Sequence, residues 1–125
     1  MENKSTILNF MKERGRIIKT TPSNRIFPLV ICKDGLFISV QASMFHYCEP
    51  KETLDNVTDY ESLEIRLDPD ELTETEMDLI SIFEGHEKCE YFYVPVAVVD
   101  IIISNHGGVD NDAVDKYIKE NERRF

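Results

Sequence analysis

Two short histidine–cysteine pairs carry the most pointed spacing in this chain, His46-Tyr-Cys48 and His86-Glu-Lys-Cys89. Imidazole and thiolate are the ligands a tetrahedral zinc ion takes, so two such pairs brought together would make a His2Cys2 site. Such a site would support a small structural or hydrolytic domain. The spacings match no standard finger or ribbon, and the competing reading is four unligated residues near loop ends. Neither pair predicts a Cys–His nucleophile, because residues this close on one strand or turn need not face each other. The expected cofactor is therefore none, with zinc on His46, Cys48, His86 and Cys89 as the alternative.

Carboxylates form the second group of candidates. Residues 49–115 hold three Lys/Arg against nineteen Asp/Glu, whereas residues 1–40 hold seven against three; the whole chain carries −10. An acidic body of this kind argues against binding nucleic acid directly, which works through phosphate neutralisation. It suits a basic protein partner, and Glu71, Glu74, Glu76 and Asp78 are the expected contacts. In that arrangement carboxylates could imitate a phosphate backbone and inhibit a nucleic-acid enzyme. The plainer reading is a surface that keeps the protein soluble. Phe45 and Tyr47, within the aromatic stretch Ser43 to Pro50, are the alternative contact surface. The wider aromatic set, with Tyr60, Tyr91, Phe92 and Tyr93, lacks the basic interleaving of a single-strand stacking platform. Core packing or a protein contact is its expected role.

Three weaker signals resolve toward structure. Asp100 interrupts an apolar run; a buried carboxylate there would have a perturbed pKa, but a wet stripe or a bond to a neighbouring loop costs less. Asp59 with Glu64-Ile-Arg66 has the outline of a metal-dependent nuclease without its lysine. Ser104-Asn-His-Gly-Gly108 is similar to a short stretch of flavin-dependent 2-hydroxy-acid oxidases. Those enzymes need a barrel of about 250 residues, so Gly107 and Gly108 read as a helix stop. No phosphate-binding glycine loop, serine elbow or paired metal-binding helix motif occurs. The expected class is non-enzymatic.

These residues must be positioned by a small set of elements. The central one is a hairpin from Phe27 to Ala42, two apolar runs flanking Asp34-Gly35. A two-residue type I′ turn there sets Lys33 opposite Leu36, Ile31 opposite Ile38, Leu29 opposite Val40 and Phe27 opposite Ala42, all on one face. Val30, Cys32 and Phe37 then share the other face, which something should cover. Pro28 cannot donate to a ladder, which predicts a sheet edge. Before the hairpin, Ser5 to Gly15 reads as a capped helix with Ile7, Leu8, Phe10 and Met11 inward. Arg16–Lys19 reads as a short strand or as that helix's tail, and Thr20 to Arg25 as a turn.

After the hairpin, Tyr60 to Leu67 alternates as a half-buried strand. Thr73 and Glu76 have capping-box spacing ahead of a helix from about Glu74 to Glu84, closed by Gly85. Cys89 to Val94 reads as a strand. Val96 to Ile103 is rich in β-branched residues, yet Pro95 before it and Asn105-His-Gly after it favour a helix. Being apolar nearly all round, that helix is expected either deep in the core or at a subunit contact. Asp110 caps a last helix, Asn111 to Arg123, with Val114, Tyr117 and Ile118 inward and Arg123-Arg124 at its C-terminal dipole.

With 125 residues, the expectation is one α+β domain, a mainly antiparallel sheet packed by helices. No run reaches the length of a membrane span, no leader pattern opens the chain, and three irregularly spaced cysteines suggest free cytosolic thiols. The expected state is monomer or homodimer, a self-associating structural component being the third functional reading.

Two stretches together are similar to a known group. Lys33 to Pro50, with its Asp-Gly turn and Ser39-Val-Gln-Ala-Ser43 run, resembles a segment of small proteins encoded by bacterial phages and prophages. Tyr93-Val-Pro-Val-Ala-Val-Val-Asp100, ending in His106-Gly-Gly, resembles their later segment, and a Tyr60-x-x-x-Glu64 strand lies between in the same order. The resemblance implies a phage or mobile-element origin and a bacterial cytosol, and the first functional reading is an accessory protein of that kind. The resemblance favours helix after Pro95. It implies no activity and no site residues.

Overall fold

A computed structural model of the protein describes residues 4–17 and 25–121. The first helix, α1 (Thr6–Arg14), starts where the Ser5 hydroxyl accepts the Leu8 N–H and stops at Gly15. Its apolar side chains Ile7, Leu8, Phe10 and Met11 are all buried. Two-residue strands β1 (Arg16–Ile17) and β2 (Arg25–Ile26) pair antiparallel. The expected Thr20–Arg25 turn and the Arg123-Arg124 helix end lie largely or wholly outside the described residues.

Among the described residues, four further strands form an antiparallel sheet in the order β3 (Val30–Ile31), β4 (Phe37–Gln41), β5 (Ser62–Arg66) and β6 (Glu90–Pro95). The expected α+β class holds, and β3 lies at the sheet edge, with Pro28 just before it and outside the ladder. The ladder begins only at Val30, past Pro28, and before it the Gln41 side chain bonds the backbone. Its amide donates to Phe27 O at 3.1 Å and its oxygen accepts the Phe27 N–H at 3.4 Å.

The hairpin register differs from expectation by one residue. Val30, not Ile31, faces Ile38, and Ile31 faces Phe37. Cys32 pairs with Leu36 through its N–H at 2.9 Å, leaving Lys33, Asp34 and Gly35 as a three-residue turn with Gly35 at φ +98°. A type I turn followed by a left-handed glycine makes this loop. Asp34 stabilises it by accepting the Leu36 N–H on Oδ1 at 3.1 Å. Because strand side chains alternate, the slip reverses the faces of the first strand. Val30 and Cys32 therefore join Ile38 and Val40 in the core, while Phe37 is 55% exposed. The apolar cover expected over a Val30–Cys32–Phe37 face is thus needed only in part.

Between β5 and β6 the pairing shifts from Leu63–Val94 to Ile65–Tyr91, so Phe92 and Tyr93 together oppose Glu64. Tyr93 takes φ +58° at this bulge, a conformation uncommon for a bulky side chain.

The helices close the core. Helix α2 (Glu74–Ile80) begins with the expected capping box of Thr73 and Glu76, then tightens into a 3-10 turn over Ser81–Phe83. Helix α3 (Val96–Asn105) follows Pro95 directly, and buries Val99, Ile102 and Ile103. Its end is the glycine stop read from the sequence. Gly107 N–H bonds Ser104 O at 3.1 Å and Gly108 N–H bonds Ile103 O at 2.9 Å, with both glycines at positive φ. Helix α4 (Asn111–Glu120) is capped by Asp110, which accepts the Ala113 N–H at 3.0 Å. Helix α1 packs on α3, α2 on α3, and α4 on β3. No helix is long and apolar enough to cross a membrane among the described residues.

Candidate functional site

A groove of about 540 Å3 opens where the hairpin turn faces the acidic lead-in to α2. Asp34, Leu36 and Phe37 line one side; Arg66, Asp68, Glu71 and Cys89 line the other. The local sequence explains each wall. On β4 Phe37 alternates with the buried Leu36 and Ile38, so it points outward. Across from it, Asp68 accepts the Asp70 N–H at 2.9 Å and starts a 3-10 turn over Pro69–Glu71, which holds Glu71 exposed.

The charge of this groove is uneven. Arg66 is already engaged, 3.2 Å from Glu90 and 3.4 Å from Glu87. Among the described residues, Asp68, Asp70, Glu71, Glu74 and Asp78 make no ion pair with a basic side chain. The exposed acidic contacts expected from the sequence are therefore Glu71, Glu74 and Asp78.

Glu76 corrects that expectation. It is fully buried and faces inward, not toward a partner. Its Oε1 accepts the Thr73 N–H at 2.9 Å, and its carboxylate meets His106 Nε2 at 3.0 and 3.1 Å. Asn105 Nδ2 approaches the second oxygen at 3.5 Å. Burial alone would raise this carboxyl, but the Thr73 N–H and the His106 ring hold it below its ordinary value.

The other nitrogen of the same imidazole faces Asp34, which lines the groove. His106 Nδ1 lies 2.5 Å from Asp34 Oδ2, so one ring joins the hairpin turn to α2. Burial would lower the histidine, yet its bonds to Asp34 and Glu76 carry it above its ordinary value. Asp34 is held low, first by the Leu36 N–H and also by His106. Nearby Cys32 is pushed up to about 11 by burial and by the charges of Asp34 and Glu76, so it stays a thiol. With both ring nitrogens committed, this Asp–His–Glu arrangement offers no free base to a substrate.

The expected metal pairs are placed differently. The Ser43 hydroxyl contacts His46 Nδ1 at 2.6 Å, and burial first of all lowers that histidine. Cys48 is buried, its thiol donating toward Ser43 O and Pro50 O at 3.4 Å, whereas Cys89 lines the open groove. His86 is exposed and sets its ring edge-on to Phe92, 5.2 Å between centroids. Among the described residues, no group of three or more His, Cys, Asp or Glu side chains is placed to hold a metal ion.

The aromatic stretch is organised by the β5–β6 bulge. Glu64 Oε1 accepts the Tyr47 N–H at 3.2 Å and Tyr93 N–H donates to Tyr47 O at 3.1 Å. Tyr47 stacks on Phe92 at 4.3 Å, and Lys51 Nζ lies 4.6 Å above its ring. Phe45, at the loop tip, is 63% exposed.

In the sequence His106 reads only as part of a helix stop. The only local hint was Thr73-x-x-Glu76 itself, since a capping-box glutamate is turned back against its own helix. Comparison with protein-family models, curated proteins and solved structures found no match to this chain.

Proposed function

We propose that this protein is a non-enzymatic binding module, of the accessory kind phages and prophages encode, whose acidic groove receives a basic, extended segment of a protein partner. The observation that supports the reading is Phe37, 55% exposed beside Asp68 and Glu71, two carboxylates with no cation paired to them among the described residues. An apolar anchor ringed by like charge is the feature that a cationic segment with one aliphatic side chain complements. A groove of this volume holds a few side chains.

Titration calorimetry with Lys/Arg-rich peptides carrying a single leucine tests it. The expected binding weakens as salt rises, because exposed charges are screened over roughly 10 Å at about 0.1 M salt. The double variant Asp68→Lys with Glu71→Lys should lose at least about tenfold in affinity, or about 1.4 kcal/mol, and Phe37→Ser a similar factor. Unchanged affinity in both variants overturns the groove as the binding site.

The loop at residues 43–47 supports a second contact surface. Met44 and Phe45 are both exposed there, next to the Tyr47 ring stacked by Lys51. If Phe45→Ser abolishes binding and the groove variants do not, the contact belongs to this loop.

A further inference from the structure

We infer that His106 is a proton-operated latch, tying the Asp34 side chain to α2 when the ring is protonated and freeing it toward the groove when it is not. Its ring stands between two carboxylates, 2.5 Å from Asp34 and 3.0 Å from Glu76. A carboxylate only accepts, and a neutral imidazole has a single N–H. Both contacts are therefore satisfied together only by the imidazolium. Loss of the proton leaves one nitrogen lone pair facing an oxygen of like polarity.

The two partners do not yield equally. Glu76 is fully buried and pinned by the Thr73 N–H, within the capping box that starts α2. Moving it would strand a charge away from water, at a high cost. Asp34 has a side chain that is 50% exposed, on a three-residue turn. The neutral ring therefore keeps its hydrogen bond to Glu76 and releases Asp34. The backbone bonds Lys33 N–H to Gly108 O and Asp34 N–H to His106 O keep the turn in place, so the change is local. Its effect reaches the groove, because Asp34 lines it.

The neighbouring groups do not substitute for this proton. Cys32, on the strand behind, stays a neutral thiol. Lys33 packs its stem against Gly107, the position where an added Cβ would meet Lys33 Cβ at 3.1 Å. Asp110 is committed to capping α4. Asp68 and Glu71 share the groove with Asp34 and add negative charge to it. The pull of Asp34 and Glu76 outweighs the burial of the ring and favours the imidazolium.

The latch does not depend on what fills the groove, and its test uses the free protein. NMR follows the ring signals of His106 and the amides of Gly35 and Phe37 from about pH 5 to about pH 9, the range in which histidines titrate. The expected result is a His106 midpoint above that of His46, with the Gly35 and Phe37 amides moving at the same midpoint. Asp34→Asn, at an exposed turn position, should lower the midpoint by about one pH unit and remove the amide response. His106→Gln should hold both amides constant across the range. A His106 titration that leaves the two amides unmoved, or a midpoint indifferent to Asp34→Asn, overturns the latch.

Discussion

Asp100 Oδ1 accepts the Ile7 N–H at 2.8 Å, from the middle of α3 to the first turn of α1. This single bond accounts for the one charged residue within the apolar α3 run. The first turn of a helix has N–H groups without intrahelical partners, and a carboxylate there also meets the positive end of the helix dipole. Asp100→Ala should lower unfolding free energy by about 1–2 kcal/mol, and Asp100→Asn by less. Urea unfolding measures both. A parent-like midpoint for Asp100→Ala would show that Ser5 alone suffices to cap α1.

Glu76 is the carboxylate on which α2 depends. Glu76→Ala removes the reciprocal cap to Thr73 and one partner of His106. The expected loss is about 2–3 kcal/mol, the cost of stranding buried partners. Glu76→Gln keeps the shape and one acceptor, and should lose roughly half as much. By contrast, Glu74→Gln and Asp78→Asn, both exposed, should stay within about 0.5 kcal/mol of the parent. Denaturant midpoints of the four variants make this comparison directly.

The Asp34–His106–Glu76 unit predicts a stability plateau with two edges. The raised histidine contributes stability that is complete below its ordinary value of 6.5 and lost as pH climbs through its higher folded value. The two lowered carboxyls contribute stability that is complete above their ordinary values, 3.8 for Asp34 and 4.5 for Glu76, and lost as pH falls through their folded values. The contribution is therefore largest between 4.5 and 6.5. Thermal midpoints measured against pH should fall on both sides of that window. The alkaline edge should be absent in His106→Gln.

The three cysteines should separate by reactivity. Cys89 is exposed, whereas Cys32 and Cys48 are buried. Burial first of all raises both inner thiols, Cys32 to about 11. An aromatic disulfide reagent at neutral pH should titrate one thiol per native chain and three after unfolding, since thiolate and access set the rate. Cys89→Ser should abolish the native reaction. Because Cys89 lines the groove, a peptide seated there should also slow that reaction.

Much of this molecule was determined by local sequence. Ser5, Thr73 and Asp110 start their helices, and Gly107-Gly108 end α3, because caps and left-handed stops are satisfied within a few residues. Pro28, lacking a donor, stands just outside the edge strand β3 for a similarly local reason. The alternation of Leu63, Ile65 and Leu67 likewise settled which face of β5 is buried.

Tertiary structure decided what depends on a partner distant in sequence. Asp34-Gly35 permits a two-residue or a three-residue turn, and the choice reversed the faces of Val30 and Ile31. The three-residue turn puts Val30 and Cys32 against the helices and lets Lys33 and Asp34 bond Gly108 and His106. Glu76 looked like one surface carboxylate among several, yet its capping-box turn and the imidazole thirty residues away took it inside. The expected His/Cys pairs are set by backbone geometry instead, Cys48 inward and Cys89 into the groove. A residue's local propensity is written in its neighbours, but the cost of burying a charge is written only in the group that arrives to neutralise it.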